Sequence, residues 1–198
     1  MEALKKIYKK HGFELIVVPN KEEALRMAMS FIKPQMSIGF GGSTTVKEVG
    51  LYEYVTSRKD IILYNQYEAG ISMEENTYRR KQGMLADLYI TSTNALTKDG
   101  ALVNADGSGN RVAAQIFGPK KVLIIAGINK LVENVEEGFN RIRDVASPKN
   151  IERMNSVAIS MGKEPRYTMS NIGKKFAYIN GDEEGRTTII LVEEALGY

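Results

Sequence analysis

Apolar and polar positions run along the chain in short blocks that switch between a helical period and continuous strand-like runs. Residues 2–11 carry Leu4, Ile7 and Tyr8 at helical spacing, and Gly12 is a helix stop. "FELIVV" (13–18) reads as a strand ended by Pro19. Asn20 then has N-cap chemistry with Glu23 three residues on, opening a helix that presents Ala24, Leu25, Met27, Ala28, Phe31 and Ile32. "MSIGF" (36–40) is a short strand running into glycines, and a helical stretch from about Thr44 is broken at Gly50 and resumes through "LYEYVTSR". "IILYN" (61–65) and "DLYITS" (87–92) are strands on either side of a helix that Ser72 and Glu75 open.

"LTKDGALVNADGSGNR" (96–111) predicts a β-hairpin with an Asp-Gly turn, followed by a second glycine-rich turn. A short helix over 112–118 precedes "KVLIIAG" (121–127), whose unbroken aliphatic run predicts burial on both faces. Residues 133–145 read as a helix with Val135, Phe139 and Ile142 inward and Pro148 as its stop, with a further short helix over 151–157. Residues 162–173 show little period, and 175–194 read as two strands around an acidic turn. Strands alternating with helices predict a mostly parallel sheet covered on both faces, carrying a β-hairpin insertion, in one domain over 1–198.

Composition narrows the chemistry. The 198 residues include no cysteine and one histidine. Disulfides, thiolate metal sites, cysteine nucleophiles and cofactors bound through cysteine are therefore excluded, and metal-ligand spacing is absent. His11, before Gly12, suits a helix end. A net charge of +3 comes from dispersed lysine pairs, without the aromatic-basic surface of a nucleic-acid binder. No apolar run approaches the ~18 residues of a membrane span. The expectation is a cytoplasmic protein with no membrane or nucleic-acid partner.

Two loops could carry chemistry. "GFGGSTT" (39–45) runs from strand through glycines to a helix that starts on hydroxyls. It is either a tight capped turn, with Glu48 completing a capping box, or an anion site built on Gly41, Gly42, Ser43 and Thr44. "NADGSGNR" (104–111) offers Asn104, Asp106, Gly107, Gly109, Asn110 and Arg111, and an arginine there could clamp a carboxylate or phosphate. Both loops follow strands, so they could face one crevice at the strand carboxyl ends. Asn94 and Lys130 stand past two further strands as additional anion contacts, with a solvated lysine as the default alternative for Lys130. Glu48 and Asp106 are the only nearby carboxylates for acid–base work.

"GGSTTVKEVGL", "ADLYITSTNALTKDGALVNADGSGNRVAAQIFGPKKVLIIAGINKLV" and "RIRDVASPKN" together resemble the LUD family of lactate-utilisation proteins, of the LutC/YkgG type. The resemblance runs from about Lys21 to the end of the sequence. It implies a three-layer α/β fold of the NagB/RpiA/CoA-transferase type and a role in L-lactate oxidation beside iron–sulfur partner proteins. A small anionic metabolite as ligand follows from the loops, and a homo-oligomer from base rates. Many members of that family carry a cysteine segment where this chain has "SVAISMGKEPRYTMSNIG" (156–173), which holds no cysteine for redox or cluster chemistry. "GFGGSTT" is also similar to the phosphate loop of ribose-5-phosphate isomerases. The central block is similar to one in methylthioribose-1-phosphate isomerase, where an aspartate transfers a proton at the position of Asn94. An amide cannot do so. Sugar-phosphate isomerase, CoA-transferase or cyclo-ligase chemistry, and a non-catalytic docking subunit, are the alternatives.

Overall fold

A computed structural model describes all 198 residues. In chain order the elements are α1 (Glu2–Lys10), β1 (Glu14–Val18), α2 (Lys21–Met29), β2 (Ser37–Phe40), α3 (Thr44–Glu48), α4 (Leu51–Ser57) and β3 (Ile62–Tyr64). Then follow α5 (Met73–Gly83), β4 (Leu88–Thr91), β5 (Ala95–Thr97), β6 (Leu102–Asp106), α6 (Asn110–Ile116) and β7 (Lys121–Gly127). A 3-10 turn (Ile128–Lys130) leads to β8 (Leu131–Val132) and α7 (Val135–Arg141), and a π turn (Ile142–Ala146) joins α7 to α8 (Ser147–Ser160). The chain closes with α9 (Met169–Ile172), β9 (Lys175–Ile179) and β10 (Thr187–Val192).

Six strands form a wholly parallel sheet in the order β1-β10-β7-β4-β2-β3. Helices flank it, as expected of a three-layer α/β/α fold. The alternation of side chains along each strand divides the core into two layers. Leu123, Ile125, Ile190 and Val192 join Ala24, Ala28, Val46 and Leu51 on one face. Val122, Ile124, Ile189 and Leu191 join Leu4, Tyr8 and Val112 on the other. The predicted hairpin, β5 with β6, is the centre of a second sheet, β8-β5-β6-β9, which lays Leu96, Leu102, Ala177 and Ile179 onto that second face.

The predicted caps form. The side chains of Asn20 and Ser72 accept from the Glu23 and Glu75 N–H groups at 2.9 and 3.1 Å. Three expectations are corrected. Pro148 does not stop a helix: the π turn shifts the hydrogen-bond register, with Ser147 N–H reaching Ile142 C=O, and the proline sits in the first turn of α8, where its missing donor is tolerated. Phe139 is 39% exposed instead of inward. Gly138 explains this, because α7 rests on β6 at that glycine and a Cβ there would come within 2.7 Å of Val103 Cγ2, which turns Phe139 to the side. Lastly, the strands around the acidic turn are not partners: β9 pairs with β6 in the small sheet, and β10 lies between β1 and β7 in the large one.

Candidate functional site

β7, β4 and β2 are neighbours and parallel, so their carboxyl ends open side by side. The loops that leave them carry Gly42 and Ser43, Ser92 to Asn94, and Lys130. The loop after β6 brings Asp106 to Asn110 to the same place, and α8 with residues 167–174 forms the far wall. These surround a cavity of about 480 Å³. The two glycine-rich loops therefore share one cavity, at the strand ends where open α/β folds gather ligands. Six basic side chains line it (Lys47, Arg80, Arg111, Lys130, Arg153 and Lys174) against one carboxylate, Asp106.

Arg111 lines the cavity with its donors already spent. Its Nε donates to Asp106 Oδ1 at 2.9 Å, and Nη1 donates to Ser92 C=O at 3.1 Å and to Asn104 Oδ1. Its Nη2 donates to Asn94 Oδ1 at 2.8 Å and Ala105 C=O at 2.7 Å. A guanidinium has five N–H groups, and all five find protein acceptors. The anion clamp expected of Arg111 is thus a buckle joining β4, β6 and α6. Asp106 completes it, with Oδ2 accepting from Val112 N–H at 3.0 Å, so both carboxylate oxygens are engaged. Asn104 is fully buried at the same hub, its Nδ2 donating to Gln115 Oε1 at 2.9 Å, and it does not line the cavity.

Lys130 is arranged differently. It is 2% exposed, and its Nζ donates to Thr45 Oγ1 at 2.8 Å and to Ser92 Oγ at 3.0 Å. No carboxylate lies within ion-pair distance. Burial pushes the amine down to about 7, the positive charges of Arg141 and Arg111 act the same way, and Glu48 opposes them. The default of a solvated lysine is therefore corrected: Lys130 is buried. Its turn is set by Asn129, whose Oδ1 accepts from Leu196 N–H at 3.0 Å and pins the last residues across the end of β7. Arg141 is buried nearby, donating to Asn129 C=O at 3.0 Å and Asn94 C=O at 2.6 Å, and burial lowers its pKa.

The remaining candidates divide. Gly42, Ser43, Thr44, Asn94, Gly107 and Asn110 line the cavity, whereas Gly41 and Gly109 do not. Gly41 is a close-approach glycine, because a Cβ there would stand 2.4 Å from Thr91 Oγ1 and 2.9 Å from Arg111 Cγ. Gly109 holds φ at +95° just before α6. Ser43 caps α3 by accepting from Val46 N–H at 3.1 Å. α3 has only five residues, so the dipole expected to draw an anion is small. Glu48 does not complete a capping box and does not line the cavity: it is exposed, and its Oε2 accepts from Gly197 N–H at 2.6 Å. Asn94 accepts from Ala105 N–H at 3.0 Å through the oxygen that also meets Arg111, which leaves its Nδ2 without a protein acceptor.

Sequence reasoning missed Arg80, Arg153, Tyr167, Lys174 and Tyr198, all of which line the cavity. Arg80 donates to Ser108 Oγ at 3.0 Å, while its buried Nε has no partner. Arg153 donates to Tyr198 Oη and Asn150 Oδ1, both at 2.7 Å. Asn155 ties the weakly patterned segment to α8, its Oδ1 accepting from Tyr167 N–H at 2.9 Å. Helical spacing could have placed Arg153 beside Asn150, but nothing local marks Lys174. No three His, Cys, Asp or Glu side chains stand together as metal ligands would. No helix is long and apolar enough to cross a membrane.

None of the curated proteins compared with this chain matches it. Among solved structures, the chain is similar to a DUF162 family protein from Deinococcus radiodurans. The two share 14% identity with a TM-score of 0.52, over 96% of this chain and 94% of that one, a likeness of fold. The profile of the LUD domain matches residues 1–192, all but the last six of the 198 residues. The chain belongs to the LUD-domain family, which is related to the lactate-utilisation proteins.

Proposed function

We propose that this is a cytoplasmic, LutC-like component of hydroxy-acid utilisation that takes a small carboxylate, L-lactate or the oxo acid made from it, into the cavity beneath α8. One observation carries the reading. The cavity gathers six basic side chains against a single carboxylate that Arg111 already neutralises, and Lys130 sits in its wall without an acidic partner. Buried positive charge is costly unless paired, and a bound anion supplies the missing partner. Lys130 and the Asn94 amide then meet the ligand at the inner end, with Arg80, Arg153 and Lys174 completing the basic lining.

Calorimetry and thermal shift with L-lactate, a 2-oxo acid, a sugar phosphate and an acyl-CoA test this on the wild type, Lys130→Met and Arg153→Ala. The carboxylates bind the wild type, and Lys130→Met weakens them by roughly tenfold or more. Wild-type affinity in both variants, or no anion bound at all, defeats the reading.

The size of the cavity supports a second reading. A volume of about 480 Å³ is in the range that holds ligands larger than a three-carbon acid. The basic residues also come from α5, α8 and the segment before β9. A phosphorylated sugar or a CoA thioester would use all of them, and the same calorimetry separates the two by which ligand binds more tightly. Docking on iron–sulfur partners would draw on the exposed Ile159, Met161 and Met169. A pull-down from native extract that recovers this chain alone counts against it.

A further inference from the structure

We propose that Lys130 is a covalent residue, forming an imine with the carbonyl carbon of a 2-oxo acid held in the cavity; this rests on the anion-cavity reading and narrows its substrate class. The geometry leaves the Lys130 nitrogen one open position. Thr45 Oγ donates its hydrogen to Leu196 C=O at 3.4 Å, and Ser92 Oγ donates to Thr93 C=O at 3.3 Å. Both hydroxyl oxygens can therefore only accept from Nζ, and each takes one N–H. Of the four positions on the nitrogen, one is the Cε bond and two are these donors. The fourth is left for the cavity that Lys130 lines. No carboxylate is near enough to hold a third proton there, and Arg141 and Arg111 add positive charge that disfavours one, with Glu48 the only opposing group. With the amine pushed down to about 7, both forms are present at neutral pH: the protonated form pairs with a bound carboxylate, and the free form supplies the lone pair that a nucleophilic lysine needs.

The chemistry balances without an external reagent. The nitrogen lone pair attacks the carbonyl carbon, the C–N bond forms, and the C=O π pair moves to oxygen, which takes a proton. That first proton comes from the nitrogen; transfer of the second N–H proton to the same oxygen and its departure as water leave the C=N bond. The oxo acid's carboxylate stays unreacted, where the Asn94 amide and the surrounding cations can hold it. L-lactate has a hydroxyl at the corresponding carbon and cannot react in this way.

Reductive trapping tests it. The full chain is incubated at pH 7 with pyruvate and cyanoborohydride, and its peptides are mapped by mass spectrometry. Lys130 is expected to gain the mass of the oxo acid less one oxygen atom, at least about tenfold above exposed lysines such as Lys9 and Lys163. L-lactate gives no adduct. An unlabelled Lys130, or labelling no greater than at exposed lysines, overturns the imine. Mapping the wild type avoids dependence on how well a Lys130 variant folds. A parallel thermal shift with pyruvate alone separates the two readings. A shift without label removes the covalent role and leaves the cavity reading standing, and neither shift nor label removes both for this class of acid.

Discussion

Arg111 and Lys130 are buried cations in the walls of one cavity, and they differ in what surrounds them. Arg111, in the first turn of α6, has a carboxylate and four further acceptors, so it leaves nothing for a ligand. Lys130, after β7, has two hydroxyls and no carboxylate. Burial and positive charge are common to both, so neither property marks a binding residue. Counting donors against acceptors does: a charge satisfied by its own fold is structural, and one left short is available.

The largest effect should come from opening the buckle. Arg111→Met strands Asp106 beside Asn104 and should cost about 3–5 kcal/mol in urea unfolding. Arg111→Lys should recover little, since one ammonium cannot replace a five-donor fork. A fully stable Arg111→Met would erase the contrast with Lys130.

Lys130→Met should do the reverse and stabilise the fold, by about 1–4 kcal/mol below pH 7. The sign follows from linkage. The folded-state value of about 7 lies under the ordinary lysine value. The unfolded chain therefore binds more protons from about pH 7 to about 10.4, and wild-type stability gains from this group as pH rises through that window. Below pH 7 both states are protonated and the burial cost is complete. The advantage of methionine should then shrink toward pH 10. An advantage that grows with pH would show that the amine is paired after all.

Gly41→Ala presses on the arginine's stem, where a Cβ would stand 2.9 Å from Arg111 Cγ and 2.4 Å from Thr91 Oγ1. It should cost ~1–3 kcal/mol, measured by the same unfolding, with Lys130 undisturbed. Glu48→Gln should be the mildest, within about 1 kcal/mol in stability. It removes the one charge that favours protonated Lys130, so the midpoint of the pH profile for Lys130 labelling should move slightly down. An upward shift would break the electrostatic account.

Much of the fold was legible because its cues are local. Asn20, Ser72 and the Asp99-Gly100 turn act within a few residues, and the aliphatic run at 121–127 reports its burial on both faces directly. The convergence of the two glycine-rich loops was legible only in part: β2 lies in the parallel sheet, whose following loops share one side, whereas β6 lies in the antiparallel small sheet, and its loop reaches the cavity because Arg111 ties it to Ser92 and Asn94. What the chain hid was partnership. Arg111 looks like a clamp until Asn94, Asn104, Asp106 and two carbonyls are found around it. Lys130 looks solvated until Thr45, 85 residues away, is seen to hold it. Pro148 misled because a proline ends one helix or begins another by the same missing donor, and the π turn that decided between them has no sequence mark. Residues 162–173 lacked a period because their order comes from Asn155 and the cavity wall.

That widened turn at 142–146 fixes an angular phase. Each residue of an α-helix advances the face by about 100°, so loss of a single codon there would swing Asn150 and Arg153 off the cavity mouth while every side chain stayed chemically intact. A change in length at this point would act on the mouth as several simultaneous substitutions would.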